Sequence, residues 1–285
     1  VPLDVSAAEP AAYARLMPGA GAIARLRPGT AILGATSAAL RSLGPGADVR
    51  FGSVHLRVLA VAPDVAVGYA ELFITPADAT RLGLAGPRYL LVGPGHRGGW
   101  TGLATSIRHL LPAATPVRLR APGQARWLRE GDAVLPPVLE KARFGEFTVG
   151  RHSIRGGQLE TDPAWQRRHV VTATVPLLGR VTCNQAIVGP LSAALGDLQR
   201  SGLGALVRRR DYGGCYVPRL IPGLPGAAIS HHAWGSAIDI NVSANPYGGR
   251  PRQDPRLVAI FARHGFAWGG DWLVPDGMHF DWLGG

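Results

Sequence analysis

Two short stretches near the C-terminus carry side chains able to bind a metal or move protons: "SHHAWGSAIDIN", Ser230 to Asn241, and "PDGMHFDW", Pro275 to Trp282. In the first, His231 and His232 stand eight and seven positions ahead of Asp239, with Gly235 between to let the chain turn. In the second, Asp276 precedes His279 by three. Zinc in a hydrolytic site takes three protein ligands, typically His with His or a carboxylate, and keeps a fourth position for water. His232, Asp239 and His279 supply that set. Adjacent residues of an extended segment point to opposite sides, so only one of His231 and His232 faces a metal. Asp276 adds a carboxylate that reaches the attacking water without being a ligand and takes its proton, which completes the minimum kit for amide hydrolysis.

The elements around these residues must bring them together. In "SAIDINV", Ile238, Ile240 and Val242 alternate with Ala237, Asp239 and Asn241; in "MHFDW", Met278, Phe280 and Trp282 alternate with His279 and Asp281. Both read as strands with Asp239 and His279 on the face opposite the apolar set, so the two side chains converge if the strands are neighbours. Two amphipathic helices frame them. "GPLSAALGDLQRSGLG" spaces Leu191, Leu195 and Leu198 at four and three, with Pro190 near its first turn and a stop at Gly202. "DPRLVAIFARHGF" has Asp254 as N-cap, Pro255 at the first position, Leu257, Val258 and Phe261 inward, and Gly265 at its end. Trp234, Trp268, Trp272 and Trp282 crowd the motifs and are read as core aromatics. Asp271 and Asp281 are read as groups that orient ligands, and His264 as a partner of a helix dipole.

The N-terminal half reads as a small β-rich unit with short helices. "TSAALRSLG" is a short helix ending near Gly44. In "VRFGSVHLRVLAVAP" the apolar alternation slips by one residue across Gly52 and Ser53, which reads as one strand with a glycine bulge. "AELFIT", "PADATRLGL" and "RYLLVGP" follow as strand, helix and strand. A Pro-, Gly- and Arg-rich run from about Pro112 to Pro137 reads as a connection. The expected organisation is therefore a β-rich N-terminal domain over 1–125, a linker over 126–143 and a domain over 144–285 that carries the chemistry. No function attaches to the first domain beyond positioning or wall contact.

Composition sets the outer bounds. The 285 residues carry a net charge of +11, almost all from arginine, with Lys141 the single lysine. Such a surface favours polyanions, but the arginines are scattered. The densest cluster, Arg208 to Asp211, reads as a solvated patch rather than a nucleic-acid site, leaving a charge-driven polyanion binder as a minor alternative. No stretch reaches the roughly 18 uninterrupted apolar residues of a membrane-spanning helix. The chain starts at Val1, which is silent on export. Cys183 and Cys215 pair most simply in an exported protein and remain two buried thiols in a cytosolic one.

"SHHAWGSAID" fits Ser-x-His-x-x-Gly-x-Ala-x-Asp and "DGMHF" fits an acid-x-x-His signature. Together they resemble the zinc D-alanyl-D-alanine peptidases of the VanX and VanY type, a family that includes phage endolysins cutting L-Ala-D-Glu bonds, over about residues 144 to 285. The resemblance implies an α+β fold: a zinc peptidase domain with a small antiparallel sheet flanked by helices, preceded by the smaller β-rich domain. It implies Zn2+ on His232, Asp239 and His279, and Asp276 as general base, where many members have Glu. It also implies an upstream arginine on the scissile carbonyl, for which Arg219 in "GCYVPRLIPG", eleven residues before Ser230, is the positional candidate. Ser230 matches the family's substrate-contacting serine, and equally suits a cap or turn. If Cys183 and Cys215 are bonded, the bridge sits four residues before Arg219 and steadies that segment. The implied activity is hydrolysis of peptidoglycan stem peptides by a secreted or cell-surface enzyme, a D-alanyl-D-alanine carboxypeptidase first. The alternatives are an L-Ala-D-Glu endopeptidase and a non-catalytic, zinc-containing wall-binding module. Oligomeric state is not legible.

Overall fold

A computed structural model describes residues 3–84, 91–92, 99–112, 134–149, 154–155, 158–221, 229–272 and 274–284. The stretch 113–133, with most of the expected linker's first part, and most of "RYLLVGP" lie outside the described residues. The chain divides into two compact units, one over Leu3–Asp132 with Pro136–Val138, the other chiefly over Leu139–Gly285.

The first unit runs β1 (Val5–Ala7), α1 (Pro10–Leu16), β2 (Thr30–Gly34), α2 (Ala35–Arg41), β3 (Asp48–Phe51), β4 (Val54–Ala62), β5 (Leu72–Ile74), α3 (Pro76–Arg81) and α4 (Gly99–Leu110). The strands form one mixed sheet in the order β1-β5-β2-β4-β3. Because successive side chains leave opposite faces, Ile32 packs with Tyr13, Ile23 and Phe73 on one side while Ala31 and Leu33 pack with Leu56, Val58 and Leu72 on the other. The phase slip at Gly52 is a hairpin, not a bulge: Phe51 pairs with Val54 in antiparallel register. Gly52 takes φ 59°, which a two-residue turn requires of glycine more readily than of other residues. Two strands keep their own alternation on either side of that turn.

The second unit contains α5 (Pro137–Phe144), whose first residues fall in the first unit, then β6 (Ile154–Arg155), β7 (Gln158–Leu159), α6 (Pro163–His169), β8 (Val170–Val175), β9 (Gly179–Asn184), α7 (Gln185–Arg200), β10 (Tyr212–Gly214), β11 (Ala237–Ile240), α8 (Pro255–Arg263), β12 (Phe266–Trp268) and β13 (His279–Trp282). The central sheet is antiparallel throughout, ordered β10-β11-β13-β12. Mixed helix and small sheets make this an α+β arrangement.

α7 begins earlier than its proline suggests. The Asn184 side chain accepts from the Ala186 amide and caps the helix, so Pro190 lies inside it. A proline six residues in forgoes the bond to the Ala186 carbonyl and crowds that carbonyl with its ring. In α8, Asp254 caps through the Arg256 amide with Pro255 first, and Leu257, Ile260 and Phe261 are buried; Val258 is only half-buried, with Ile260 in its place. All four residues of β11 are buried, so the alternation that separates Ile238 from Asp239 distinguishes two buried faces rather than core from solvent.

Candidate metal centre

β11 and β13 are direct neighbours, and their register sets Asp239 opposite His279. In such a pair the side chains leave the same face a few ångströms apart. His279 Nδ1 lies 3.0 Å from Asp239 Oδ1. The third side chain comes from a turn. Residues His231–Ala233 form one turn of 3-10 helix rather than an extended segment, with Ser230 as N-cap accepting from the His232 amide. Its tight winding still sends the adjacent histidines different ways. His232 Nε2 faces the pair, 3.1 Å from Asp239 Oδ2 and 3.2 Å from His279 Nδ1, whereas His231 turns to Asp281 instead.

All three residues are buried. His232 Nδ1 donates to the Cys215 carbonyl at 2.8 Å, which turns Nε2 into the cluster, where it carries a proton toward Asp239 or, with a cation present, a lone pair. Burial opposes charge on Asp239, yet His232 and then His279 outweigh it and hold the carboxyl well below the usual range. Burial likewise opposes charge on His279, and its bond to Asp239 lifts the imidazole above its ordinary value. Two imidazole nitrogens and a carboxylate, their donor atoms within 4.8 Å of one another, form a set that a divalent cation fits. Lone pairs packed this closely repel one another without a cation or proton between them.

Asp276 stands at the rim. Its amide donates to the Gly269 carbonyl at 2.8 Å and its carbonyl accepts from the His279 amide at 3.2 Å, so one turn sets both side chains. A Cβ on Gly269 would fall 2.7 Å from the Asp276 carbonyl oxygen, so only glycine permits that approach. Burial raises the Asp276 carboxyl above the ordinary aspartate value, and its Oδ1 is buried with no hydrogen-bond partner among the described residues. The Trp272 ring lies 5.0 Å from that of His279, with Nε1 similarly unpartnered. Trp234, Trp268 and Trp282 instead donate to backbone carbonyls of Gly145, Gly277 and His264, as packed structural aromatics do.

Arg219 enters from the segment after the disulfide. Its Nη2 is 4.0 Å from Asp239 Oδ2 and its side chain is 34% exposed, so the guanidinium edges the cluster with a face left to solvent. Cys183 and Cys215 are bonded. Nearby along the chain, Tyr216 and Pro218 help line a cavity of about 590 Å³ with Leu159, Thr161, Asp162 and Gln166.

Other residues singled out in the sequence sit elsewhere. Asp271 is exposed, and Arg208 to Arg210 face solvent. His264 closes α8 and its Nε2 meets Asp197 Oδ2 at 2.8 Å. Sequence reasoning missed Glu140, fully buried in α5, whose carboxylate accepts from the Ser236 hydroxyl and whose Oε2 is 4.0 Å from His231 Nδ1. Its only signal was "LEKAR", a charged pair that every pattern rule puts at the surface.

A buried two-histidine, one-aspartate cluster beside a desolvated carboxylate, on an α+β frame, is compatible with a metallopeptidase. Residues 225–282 match the family model described as D-alanyl-D-alanine carboxypeptidase. The matched segment contains His232, Asp239, Asp276 and His279, and the match supports a peptidoglycan-related metallopeptidase. No curated protein and no solved structure matches the chain. Among the described residues no helix is long and apolar enough to cross a membrane.

Proposed function

We propose that this protein is a zinc peptidase that hydrolyses peptidoglycan stem peptides at the bacterial cell envelope, acting as a D-alanyl-D-alanine carboxypeptidase. The observation that carries the reading is the convergence of His232, Asp239 and His279 on one buried point, with an Asp276 carboxylate oxygen that has no hydrogen-bond partner among the described residues at its edge.

In this reading His232 Nε2, His279 Nδ1 and an oxygen of Asp239 hold the zinc ion. When bound, zinc polarises a carbonyl and acidifies water. The Arg219 guanidinium, on the open side of Asp239, donates to the carbonyl oxygen as negative charge grows on it. Asp276 accepts a proton from the attacking water as the C–O bond forms, and returns it to the nitrogen as the C–N bond breaks. Burial raises the basicity of that carboxylate above an ordinary aspartate's. Ser230, tied to the His232 amide, acts through the turn it caps. The disulfide supports secretion to an oxidising compartment.

The test is elemental analysis of protein purified without added metal, followed by digestion of purified muropeptides. One equivalent of zinc, absent from His232→Ala and His279→Ala, with loss of a single terminal D-Ala by mass, is expected. A split inside the stem would replace carboxypeptidase by endopeptidase; a metal-free, inactive protein would end the peptidase reading.

A further inference from the structure

A second histidine–carboxylate group lies beside the first on the same face of the sheet. Register places Ala237 opposite Asp281, two residues along from Asp239 opposite His279. Residues two apart on a strand share a face, so Asp281 neighbours His279 just as His231 neighbours His232. His231 Nδ1 donates to Asp281 Oδ2 at 2.7 Å. The one proton of the Ser236 hydroxyl is shared between the Glu140 carboxylate and the His231 carbonyl, the latter 3.1 Å away. The Ser236 carbonyl accepts from the Trp282 amide at 3.0 Å. Glu140, Ser236 and Asp281 are fully buried.

Burying two carboxylates around one imidazole is expensive, and apolar side chains of the same volume would pack more favourably. The arrangement has a geometric use. The turn bearing His232 is a single 3-10 turn, a weak element. The turn's backbone is tied by the Val217 amide to the His232 carbonyl at 2.9 Å and by the Ser230 amide to the Arg219 carbonyl at 3.0 Å, whereas the cap bond that Ser230 accepts is 3.4 Å long and the Cys215 carbonyl holds the far nitrogen of the His232 ring. A metal ligand must be fixed to within about 0.5 Å. The His231–Asp281 bond adds a side-chain tie from the turn to β13, the strand that carries His279.

We infer that Glu140 is a positioning residue for the metal centre: through Ser236 and His231, backed by Asp281, it sets the turn carrying His232 against the strand carrying His279. The inference rests on the zinc reading above and extends it to a residue far outside the matched segment.

The experiment uses the full chain stripped of metal, titrated with Zn2+ against a chromophoric chelator and loaded separately with Co2+ for visible absorption. Glu140→Ala is expected to weaken Zn2+ by about 10-fold or more, the usual size for groups that orient ligands, and to shift the Co2+ bands. Glu140→Gln keeps an acceptor for Ser236 and is expected to stay within about threefold of the parent. If the parent chain binds Zn2+ and Glu140→Ala matches it in affinity and spectrum, the positioning role is overturned while the metal reading stands. If Glu140→Gln loses as much as Glu140→Ala, the hydrogen-bonded relay is overturned. A parent chain that binds no metal overturns both readings. Should circular dichroism show Glu140→Ala unfolded, Ser236→Ala decides: shifted Co2+ bands support the relay and unchanged bands overturn it.

Discussion

The carbonyl of Cys215 accepts the Nδ1–H of His232 at 2.8 Å, so a disulfide-bonded residue fixes which nitrogen of that histidine faces Asp239 and His279. The bond to Cys183 closes a loop across 32 positions and anchors the carbonyl to β9, while the Tyr216 amide adds a backbone bond to Thr182. Replacing both cysteines by serine is therefore expected to cost about 3 to 4 kcal/mol of stability on the chain-entropy account. It should also weaken metal binding by freeing the imidazole. Denaturant unfolding and a metal competition titration measure the two effects, and a lowered stability with unaltered metal affinity would detach the bridge from the site.

Asp276 touches none of the three converging side chains through a hydrogen bond, and one of its oxygens has no partner among the described residues. Asp276→Asn keeps shape while abolishing basicity. Bound zinc and thermal stability should persist while kcat falls by about 100-fold or more, the range for loss of a general base. Retained turnover would remove Asp276 from the mechanism.

Arg219 contributes a planar fork that lysine does not reproduce. With metal content unchanged, Arg219→Lys is expected to lower kcat by about 100-fold, as for loss of an oxyanion donor. A rise in KM alone would instead make it a ground-state binder.

Glu140 provides a pH signature. Burial, opposed by His231 and reinforced by Asp281, lifts its carboxyl from 4.5 to about 7. The folded state thus favours the protonated form, and that contribution is complete below the unfolded value and lost as pH rises toward 7. Glu140→Gln removes the dependence, so its melting temperature should climb relative to the parent between pH 5 and pH 8. The full span is at most about 3 kcal/mol. A pH-independent difference would contradict the burial argument.

Gly235 joins the 3-10 turn to β11 at φ 68°, and a Cβ there would lie 2.6 Å from the Asn184 amide nitrogen. Both obstacles are backbone, so Gly235→Ala is expected to destabilise by more than about 2 kcal/mol. Chemical denaturation with an unchanged midpoint would show that β9 can yield.

Much of the site was legible because its parts are local patterns. Alternation in "SAIDINV" and "MHFDW" assigned Asp239 and His279 to defined strand faces, and capping residues marked α8 through Asp254 and Pro255. Where local signals compete, the reading went astray. Asn184 started α7 ahead of Pro190, and Gly52 with Ser53 made a hairpin where a bulge fits the same phase slip.

Residue order alone thus determined which side chains are suited to a divalent ion and on which strand faces two of them lie, since alternation is a property of neighbouring backbone. Tertiary structure decided the rest. It set Asp239 opposite His279, wound His231 and His232 into a 3-10 turn that parted them, and buried Glu140 beneath Ser236. Each depends on contact between segments as many as 96 positions apart. Which strands become neighbours, and which charged groups the fold covers, arise from the packing of elements far apart in the chain.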